Sequence, residues 1–126
     1  MKRAAIYVRY VEEVDPPCMD PETQKTLAID LLKKLGVNEY HVYVDIVDTE
    51  YVDCPEFDCM MKSIAVDAYD MVIVYEFGSL ATYCVDLQDV VDRILSHCKV
   101  IYSNSGLSIC GPMHAGGSVE TRLLVS

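Results

Sequence analysis

The chain opens with an almost uninterrupted apolar run, residues 3–10, which reads Arg-Ala-Ala-Ile-Tyr-Val-Arg-Tyr. A strand in the middle of a parallel sheet is covered on both faces, so it carries β-branched and aromatic residues without a polar alternation. The run therefore predicts a buried strand of a parallel sheet. Arg9 lies at its carboxyl end, which is the end where open α/β sheets place their ligands.

Three further segments are typical of strands: residues 40–47, residues 70–75 and a short stretch at residues 99–102. Each is apolar and rich in Val, Ile and Tyr. Helical patterns separate them, and strands that alternate with helices favour parallel pairing with right-handed crossovers. We predict a three-layer α/β fold with a mostly parallel sheet of four to five strands and helices on both faces. The strands at residues 4–9 and 71–75 are too apolar for an edge and are expected side by side at the centre.

The helices have recognisable ends. Asp20 suits the N-cap and Pro21 the first position of the first helix, and Gly36 suits its end. A third, long helix is predicted from Leu80 to Cys98, because apolar residues recur there by three and four. The expected buried face of the second helix consists of Phe57, Met60, Met61 and Ile64.

Composition limits the partners. The 126 residues fit one domain, and 52% hydrophobic residues exclude a disordered chain. The formal net charge is -10. Because a phosphate backbone is repelled by such a field, this domain alone is not expected to bind duplex DNA. No signal-peptide pattern is visible, and no apolar run approaches the roughly 20 residues that span a bilayer. We expect a cytoplasmic protein without a membrane partner.

The cysteines and histidines do not form a metal-ligand pattern. No Cys-x-x-Cys pair occurs, and His41 and the adjacent His97 and Cys98 stand alone in the sequence. No phosphate-binding glycine loop follows the first strand, which argues against a nucleotide cofactor. We therefore expect no metal and no cofactor, and we expect reduced thiols at the six cysteines. These are Cys18, Cys54, Cys59, Cys84, Cys98 and Cys110.

Several segments resemble one enzyme family. The sequence Ala-Ile-Tyr-Val-Arg that ends at Arg9 is similar to the first strand of the serine recombinases, the resolvases and invertases, which typically reads Ala-Ile-Tyr-Val-Arg-Val-Ser. Tyr-Val-Asp ending at Asp45 resembles their second strand, and Asp-Met-Val-Ile-Val-Tyr ending at Tyr75 resembles their third. Gln24 matches a glutamine that supports the active site. The resemblance covers residues 1–102 and implies a resolvase-like catalytic-domain fold.

The end of the chain departs from this family. Residues 103–126 are glycine-rich and lose periodicity, and they do not resemble the long dimer helix of the family. We predict a single domain at 1–126, with a core at 1–102, a Gly-rich C-terminal segment at 103–126 and no DNA-binding domain.

The resemblance also implies where an active site would lie. In active members the serine nucleophile lies two residues after the arginine of the first strand, but here Tyr10, Val11 and Glu12 follow Arg9 and none of them is a serine. Other family positions carry arginines and an aspartate that are missing here. The family-site positions are Arg9, Tyr10, Gln24, Asp45, Cys54, Gly78, Ser79 and Thr82; Cys54, Ser79 and Thr82 replace arginines and Gly78 replaces the aspartate.

These replacements bear on the chemistry. Phosphoryl transfer without a metal needs arginines to meet the developing charge, and one such arginine is worth roughly 10³ to 10⁵ in rate. Of the matched positions only Arg9 keeps its arginine, so we assign no catalytic residue. Tyr10 is interpreted as an amphipathic side chain rather than a substitute nucleophile. Arg9 either retains an anion site or forms a salt bridge with Asp45 or Glu76.

Three functional interpretations stay open. The preferred one is a catalytically inactive recombinase-type domain that acts as a protein-binding or regulatory module of a mobile element, with another recombinase or mobile-element protein as its partner. The alternative is an α/β enzyme that uses the same sheet for different chemistry around Arg9, Gln24, Asp45 and Glu76. The third is a decayed recombinase fragment. The oligomeric state stays open as well.

Overall fold

A computed structural model of the chain describes residues 2–13, 18–49, 53–81 and 86–110, and the backbone of 122–125. Within these ranges six strands form one sheet. They are β1 (Arg3–Val11), β2 (Glu39–Val47), β3 (Met71–Val74), β4 (Val100–Ser103), β5 (Leu107–Cys110) and β6 (Arg122–Val125). Their order in space is β2-β1-β3-β4-β5-β6. The first four are parallel, and β5 and β6 are antiparallel to their neighbours.

The centre of the sheet confirms the sequence prediction. β1 and β3 are adjacent, from Ala4 opposite Met71 to Tyr7 opposite Val74, and neither is an edge strand. All four β3 residues are buried, as expected for a strand covered on both faces. The sheet is larger than the predicted four to five strands, because the segment after Ser103 supplies β5 and β6. Both lie in the segment at residues 103–126, where the loss of periodicity gave no signal for a strand.

Three α-helices cover the sheet: α1 (Pro21–Lys34), α2 (Pro55–Ala65) and α3 (Leu87–Leu95). As predicted, Asp20 caps α1, and its carboxylate accepts a hydrogen bond from the Thr23 backbone N–H at 3.0 Å. Gly36 follows the end of α1 with a φ of +74°, a conformation that favours glycine. None of the helices in the described ranges is long and apolar enough to cross a membrane.

The third helix is shorter than predicted. The helix begins at Leu87. Asp86 is its N-cap, and the Asp86 carboxylate accepts a hydrogen bond from the Asp89 backbone N–H at 3.0 Å. Phe77–Leu80 is instead a short 3-10 turn, and the extended backbone of Ala81 ends it. Leu80 is fully buried in that turn, so its apolar character reflects packing rather than a helix.

The two faces of the sheet have separate cores. On one face the side chains of Ala4, Ile6 and Val8 pack with Ala28 and Leu32 of α1. On the other face Ala5 and Tyr7 pack with residues of α2 and α3. This arrangement confirms the three-layer architecture. The buried residues contributed by α2 and α3 to the second core are Phe57, Met60, Ile64, Val90, Val91, Ile94 and Leu95.

The five described cysteines are thiols, and none is joined in a disulfide: Cys18, Cys54, Cys59, Cys98 and Cys110. Cys98 is 4% exposed and donates a hydrogen bond from Sγ to the Tyr69 carbonyl at 3.3 Å. Burial, with the nearby charges of Asp70 and Asp67, raises the pKa of Cys98 to about 12. Cys84 lies outside the described residues.

Candidate functional site at the carboxyl end of β1

The carboxyl ends of β1 and β2 meet at one edge of the sheet, where Arg9 lies opposite Asp45 in the parallel register. Successive side chains of a strand project to opposite faces. Tyr7 and Arg9 therefore share the face covered by α2 and α3, whereas Tyr10 projects to the face of α1. The two neighbouring family-site positions of β1 are thus separated by the sheet itself.

The Arg9 guanidinium is held by protein groups on several sides. Its Nε donates to the Tyr7 hydroxyl at 3.1 Å, and its Nη1 donates to the carbonyl of Ala81. The guanidinium also lies over the rings of Tyr7 and Phe57, with its central carbon 5.3 and 5.9 Å from their centroids. Nη2 is buried and has no hydrogen-bond partner among the described residues. One donor of a fixed cation is therefore left without an acceptor in the part of the chain that the structure describes.

Asp45 has a structural task at the start of α2. Its side chain is 4% exposed and accepts three hydrogen bonds: from the Tyr7 hydroxyl at 2.8 Å, the Glu56 N–H at 3.0 Å and the Phe57 N–H at 2.9 Å. The side chain of the N-cap residue Cys54 does not cap the helix. The carboxylate of the neighbouring strand thus replaces the missing cap and lies at the positive end of the helix dipole.

The salt bridge of Arg9 to Asp45 or Glu76, one of the two alternatives for this residue, is not formed in the described part of the chain. The ion pairs found there join Arg3 to Glu39 and His97 to Asp67, and neither involves Arg9. Arg9 and Asp45 are linked only through the Tyr7 hydroxyl, because the carboxylate is turned toward the backbone of α2. The Glu76 side chain is exposed to solvent.

Tyr7 is a site residue that the sequence analysis missed. Burial raises the pKa of the Tyr7 hydroxyl well above its ordinary value; the charge of Arg9 opposes this shift, and the hydrogen bond to Asp45 adds to it. The hydroxyl therefore stays protonated. It donates a hydrogen bond to the Asp45 carboxylate and accepts one from Arg9 Nε. The available signal was the spacing, since Tyr7 precedes Arg9 by two residues and must share its face.

Gln24 supports the end of β1 from α1. Its side chain is 4% exposed, and Nε2 donates to the carbonyl of Arg9 at 3.0 Å and to that of Met19 at 2.7 Å. Its Oε1 is buried and has no hydrogen-bond partner within the described ranges. The amide therefore joins the carboxyl end of β1 to the residue that precedes the N-cap of α1.

The remaining family-site positions provide no positive charge. Cys54 is buried in the core against α2. Gly78 and Ser79 lie in the 3-10 turn after β3. A Cβ placed on Gly78 would meet no atom within 4 Å, so glycine is not required there by packing. Thr82 lies outside the described residues. The part of the chain that the structure describes contains no group of three His, Cys, Asp or Glu side chains that could hold a metal ion.

A solved structure has the same arrangement of strands and helices. The chain is similar to the N-terminal catalytic domain of TP901-1 integrase, with a TM-score of 0.64 and 18% sequence identity over 82% of this chain and 77% of that chain. The chain has the fold of a serine recombinase catalytic domain. No family model and no curated protein sequence matches the chain.

The segments that resemble the serine recombinases lie next to one another in this fold. The first and third strands carry the sequence resemblance, and they are the adjacent central strands of the sheet. Arg9, Gln24 and Asp45, three matched positions, come together at the carboxyl end of β1. These three residues therefore lie together at one edge of the sheet, whereas Cys54, Gly78 and Ser79 bring no charged side chain.

Proposed function

We propose that this domain belongs to the serine recombinase family, has lost strand-exchange activity and acts by binding another protein, either a second recombinase or another protein of a mobile element. The observation that carries the proposal is the geometry at the end of β1. Two residues after the retained Arg9, on the same face of the strand, the buried apolar side chain of Val11 stands where the family motif has its serine, and the hydroxyl of Tyr10 projects from the opposite face. A hydroxyl there does not reach a phosphate held by Arg9.

The nucleophile is the first deficit. Attack on a phosphodiester requires the reacting oxygen within about 3.5 Å of phosphorus and an activating base or cation. The phenol of Tyr10 is half-buried on the α1 face. The Tyr7 phenol lies on the same face as Arg9, but burial and the hydrogen bond to Asp45 keep its hydroxyl protonated.

The positive charge is the second deficit. Transition-state charge in metal-free phosphoryl transfer is met by arginines, each worth roughly 10³ to 10⁵ in rate. Arg9 supplies one guanidinium, of which Nε and Nη1 are already bonded to the protein. The side chains of Cys54 and Ser79 supply none.

The competing interpretations have less support. An enzyme with different chemistry would need Asp45 or Glu76 as an acid or base, yet three hydrogen bonds occupy the Asp45 carboxylate and Glu76 is exposed. A decayed fragment would not be expected to keep polar groups satisfied. Among the described residues only Arg9 Nη2 and Gln24 Oε1 are buried side-chain atoms without a partner.

The loss of activity is tested with a supercoiled or suicide recombination substrate. Neither the purified protein nor its Tyr10→Ser and Val11→Ser variants should cleave the DNA or form a covalent adduct, while an intact serine recombinase on its own substrate is the positive control. Neither variant should recover activity, because the electrostatic deficit remains. A phosphotyrosine adduct of the wild-type protein, or cleavage by Tyr10→Ser or Val11→Ser, would contradict the proposal.

The binding role is tested separately. Each intact serine recombinase encoded in the same genome is purified, the protein is titrated into its recombination reaction, and binding is measured by analytical ultracentrifugation of the labelled recombinase. We expect a saturable complex and a changed recombination rate. Absence of a complex with any of these recombinases would refute the proposed partner without restoring catalysis to this domain.

A further inference from the structure

Among the described strands, β2 forms one edge of the sheet and has no partner on its outer side. β2 is nine residues long and pairs only with β1 among the described strands. The Val47 carbonyl accepts a hydrogen bond from the Glu12 N–H at 2.9 Å, which turns Val47 toward β1. Backbone groups alternate in direction along a strand. The N–H and C=O groups of the even-numbered residues of β2 therefore point away from the sheet.

The same even-numbered residues carry apolar side chains. Tyr40, Val42, Val44 and Ile46 project to the α1 face, and we call these four residues the edge stripe. Because α1 lies over β1 and β3, it leaves the stripe uncovered at its ends. Tyr40 is 43% and Ile46 58% exposed, and Val42 and Val44 are half-buried. Among the described residues, a row of backbone groups without a strand partner thus coincides with an apolar stripe whose two end residues, Tyr40 and Ile46, are exposed.

β2 lacks the devices that normally keep an edge strand from pairing. Such strands usually carry lysine, proline or an inward charge that disfavours a neighbour. β2 contains neither lysine nor proline. Its Glu39 is paired with Arg3 at 3.6 Å at the beginning of the strand, and the Asp45 carboxylate bonds to α2 on the opposite face.

We propose that this edge joins two copies of the chain, β2 to β2 and antiparallel, around a two-fold axis at Tyr43. In that register Tyr40 lies opposite Ile46 of the second copy, and Val42 lies opposite Val44. All four are positions whose backbone groups face outward, so each opposed pair exchanges two hydrogen bonds. The two sheets become continuous, and the two edge stripes meet on one face.

The order of residues along β2 argues for a second copy as the occupant. A two-fold pairing requires a self-complementary strand, and the edge stripe has its large exposed residues at equal distances from Tyr43 with two valines between them. A register displaced by two residues would leave one of these large side chains opposite a residue outside the stripe. The pairing does not depend on the proposed function.

Charge opposes the association only at long range. Each copy has a formal net charge of -10, and the repulsion is screened beyond about 8 Å at physiological ionic strength. No carboxylate of the edge stripe needs to be desolvated, because the stripe contains none. We expect the dimer to strengthen as salt is added.

The test is sedimentation equilibrium of the wild type and of two charged variants, Tyr40→Lys and Ile46→Glu. The wild type should show a reversible monomer–dimer equilibrium. Each variant should weaken the dimer by roughly tenfold or more, because a charge then faces an apolar side chain twice per dimer. An equimolar mixture of the two should recover association, since the introduced lysine faces the introduced glutamate in the heterodimer.

Val66→Lys is the matched control, because Val66 is 75% exposed at the end of α2, on the other side of the sheet. Its dimerisation should equal that of the wild type. Circular dichroism verifies that each variant is folded. A wild type that is monomeric at every concentration, a dimer unaffected by both charged variants, or a mixture that does not recover association would each overturn the proposal.

A measurement without mutation gives a second test. In the dimer the backbone amides of Tyr40, Val42, Val44 and Ile46 are hydrogen-bonded between copies. Their hydrogen exchange in the wild-type protein should slow as the protein concentration rises, while exchange of solvent-facing amides elsewhere stays unchanged. Exchange of these four amides that does not respond to concentration would refute the pairing.

Discussion

Asp45→Ala should cause a large loss of stability, because its carboxylate serves three buried donors at once. It accepts hydrogen bonds from the Tyr7 hydroxyl and from the backbone N–H groups of Glu56 and Phe57, at 2.8 to 3.0 Å. The side chain of Asp45 is 4% exposed, so water does not easily take its place. Alanine at this position leaves all three donors without an acceptor and α2 without a cap.

The magnitude follows from these losses. An orphaned buried donor costs about 1–3 kcal/mol, and a lost helix cap costs about 0.5–2 kcal/mol. The two N–H groups belong to that cap, so the terms overlap, and we expect a total of about 3–5 kcal/mol. Since domains of this size have stabilities of about 5–15 kcal/mol, Asp45→Ala should remain folded but lower Tm by roughly 10–20 °C.

The assay is urea unfolding followed by circular dichroism, with thermal melts at the same protein concentration. Asp58→Ala is the control, because Asp58 is exposed in the first turn of the same helix; it should cost less than about 1 kcal/mol. Tyr7→Phe removes one donor and should cost about 1–2 kcal/mol. Its effect should be non-additive with that of Asp45→Ala, because both remove the same hydrogen bond.

An Asp45→Ala variant that is no less stable than Asp58→Ala would refute this reasoning. The carboxylate would then not cap α2, and the link from Arg9 through Tyr7 to the helix would carry no energy. Additivity of Tyr7→Phe and Asp45→Ala would refute the hydrogen bond between the two side chains while leaving the cap in place.

Two further predictions concern the thiols and acid unfolding. Cys98 should be alkylated by iodoacetamide only as fast as the protein unfolds, because its side chain is 4% exposed and its pKa is raised to about 12. The exposed Cys59 should react at once. Equal alkylation rates of the two thiols, measured by mass spectrometry, would contradict this prediction. Hydrogen bonds from Thr23 lower the pKa of Asp20 below 3.8, so the stability that this carboxylate contributes is present above that pH and is lost as pH falls through the lowered value. The Tm difference between wild type and Asp20→Ala should shrink in that acidic window, and a constant difference down to about pH 2 would exclude the linkage.

Much of the scaffold could be predicted because its signals are local. The apolar run before Arg9 specifies a strand buried on both faces, and the structure places it beside β3 in the interior of the sheet. The pair Asp20-Pro21 encodes the beginning of α1, and Gly36 its end, through backbone preferences that need no distant partner. These features depend on a few neighbouring residues.

The third helix shows where a local pattern misleads. Leu80 continues the apolar spacing of α3, but it is buried in a separate 3-10 turn. Periodicity reports which residues are buried, and both a helix and a packed turn can bury a leucine at the same spacing. The side-chain cap from Asp86 to Asp89 decided where the helix begins.

The site itself depended on contacts between residues that are far apart in the sequence. The resemblance to the serine recombinases named both Arg9 and Asp45 as site positions, and the two residues are opposite each other in the parallel register of β1 and β2. Only the tertiary structure decided that Asp45 bonds to α2, that Tyr7 joins it to Arg9 across 38 residues, and that the carbonyl of Ala81, 72 residues away, holds the guanidinium. The physical reason is that a buried carboxylate or guanidinium forms hydrogen bonds with whichever groups the packed elements place within reach. Every residue type carries a backbone carbonyl, so the sequence does not indicate which distant carbonyl becomes the partner.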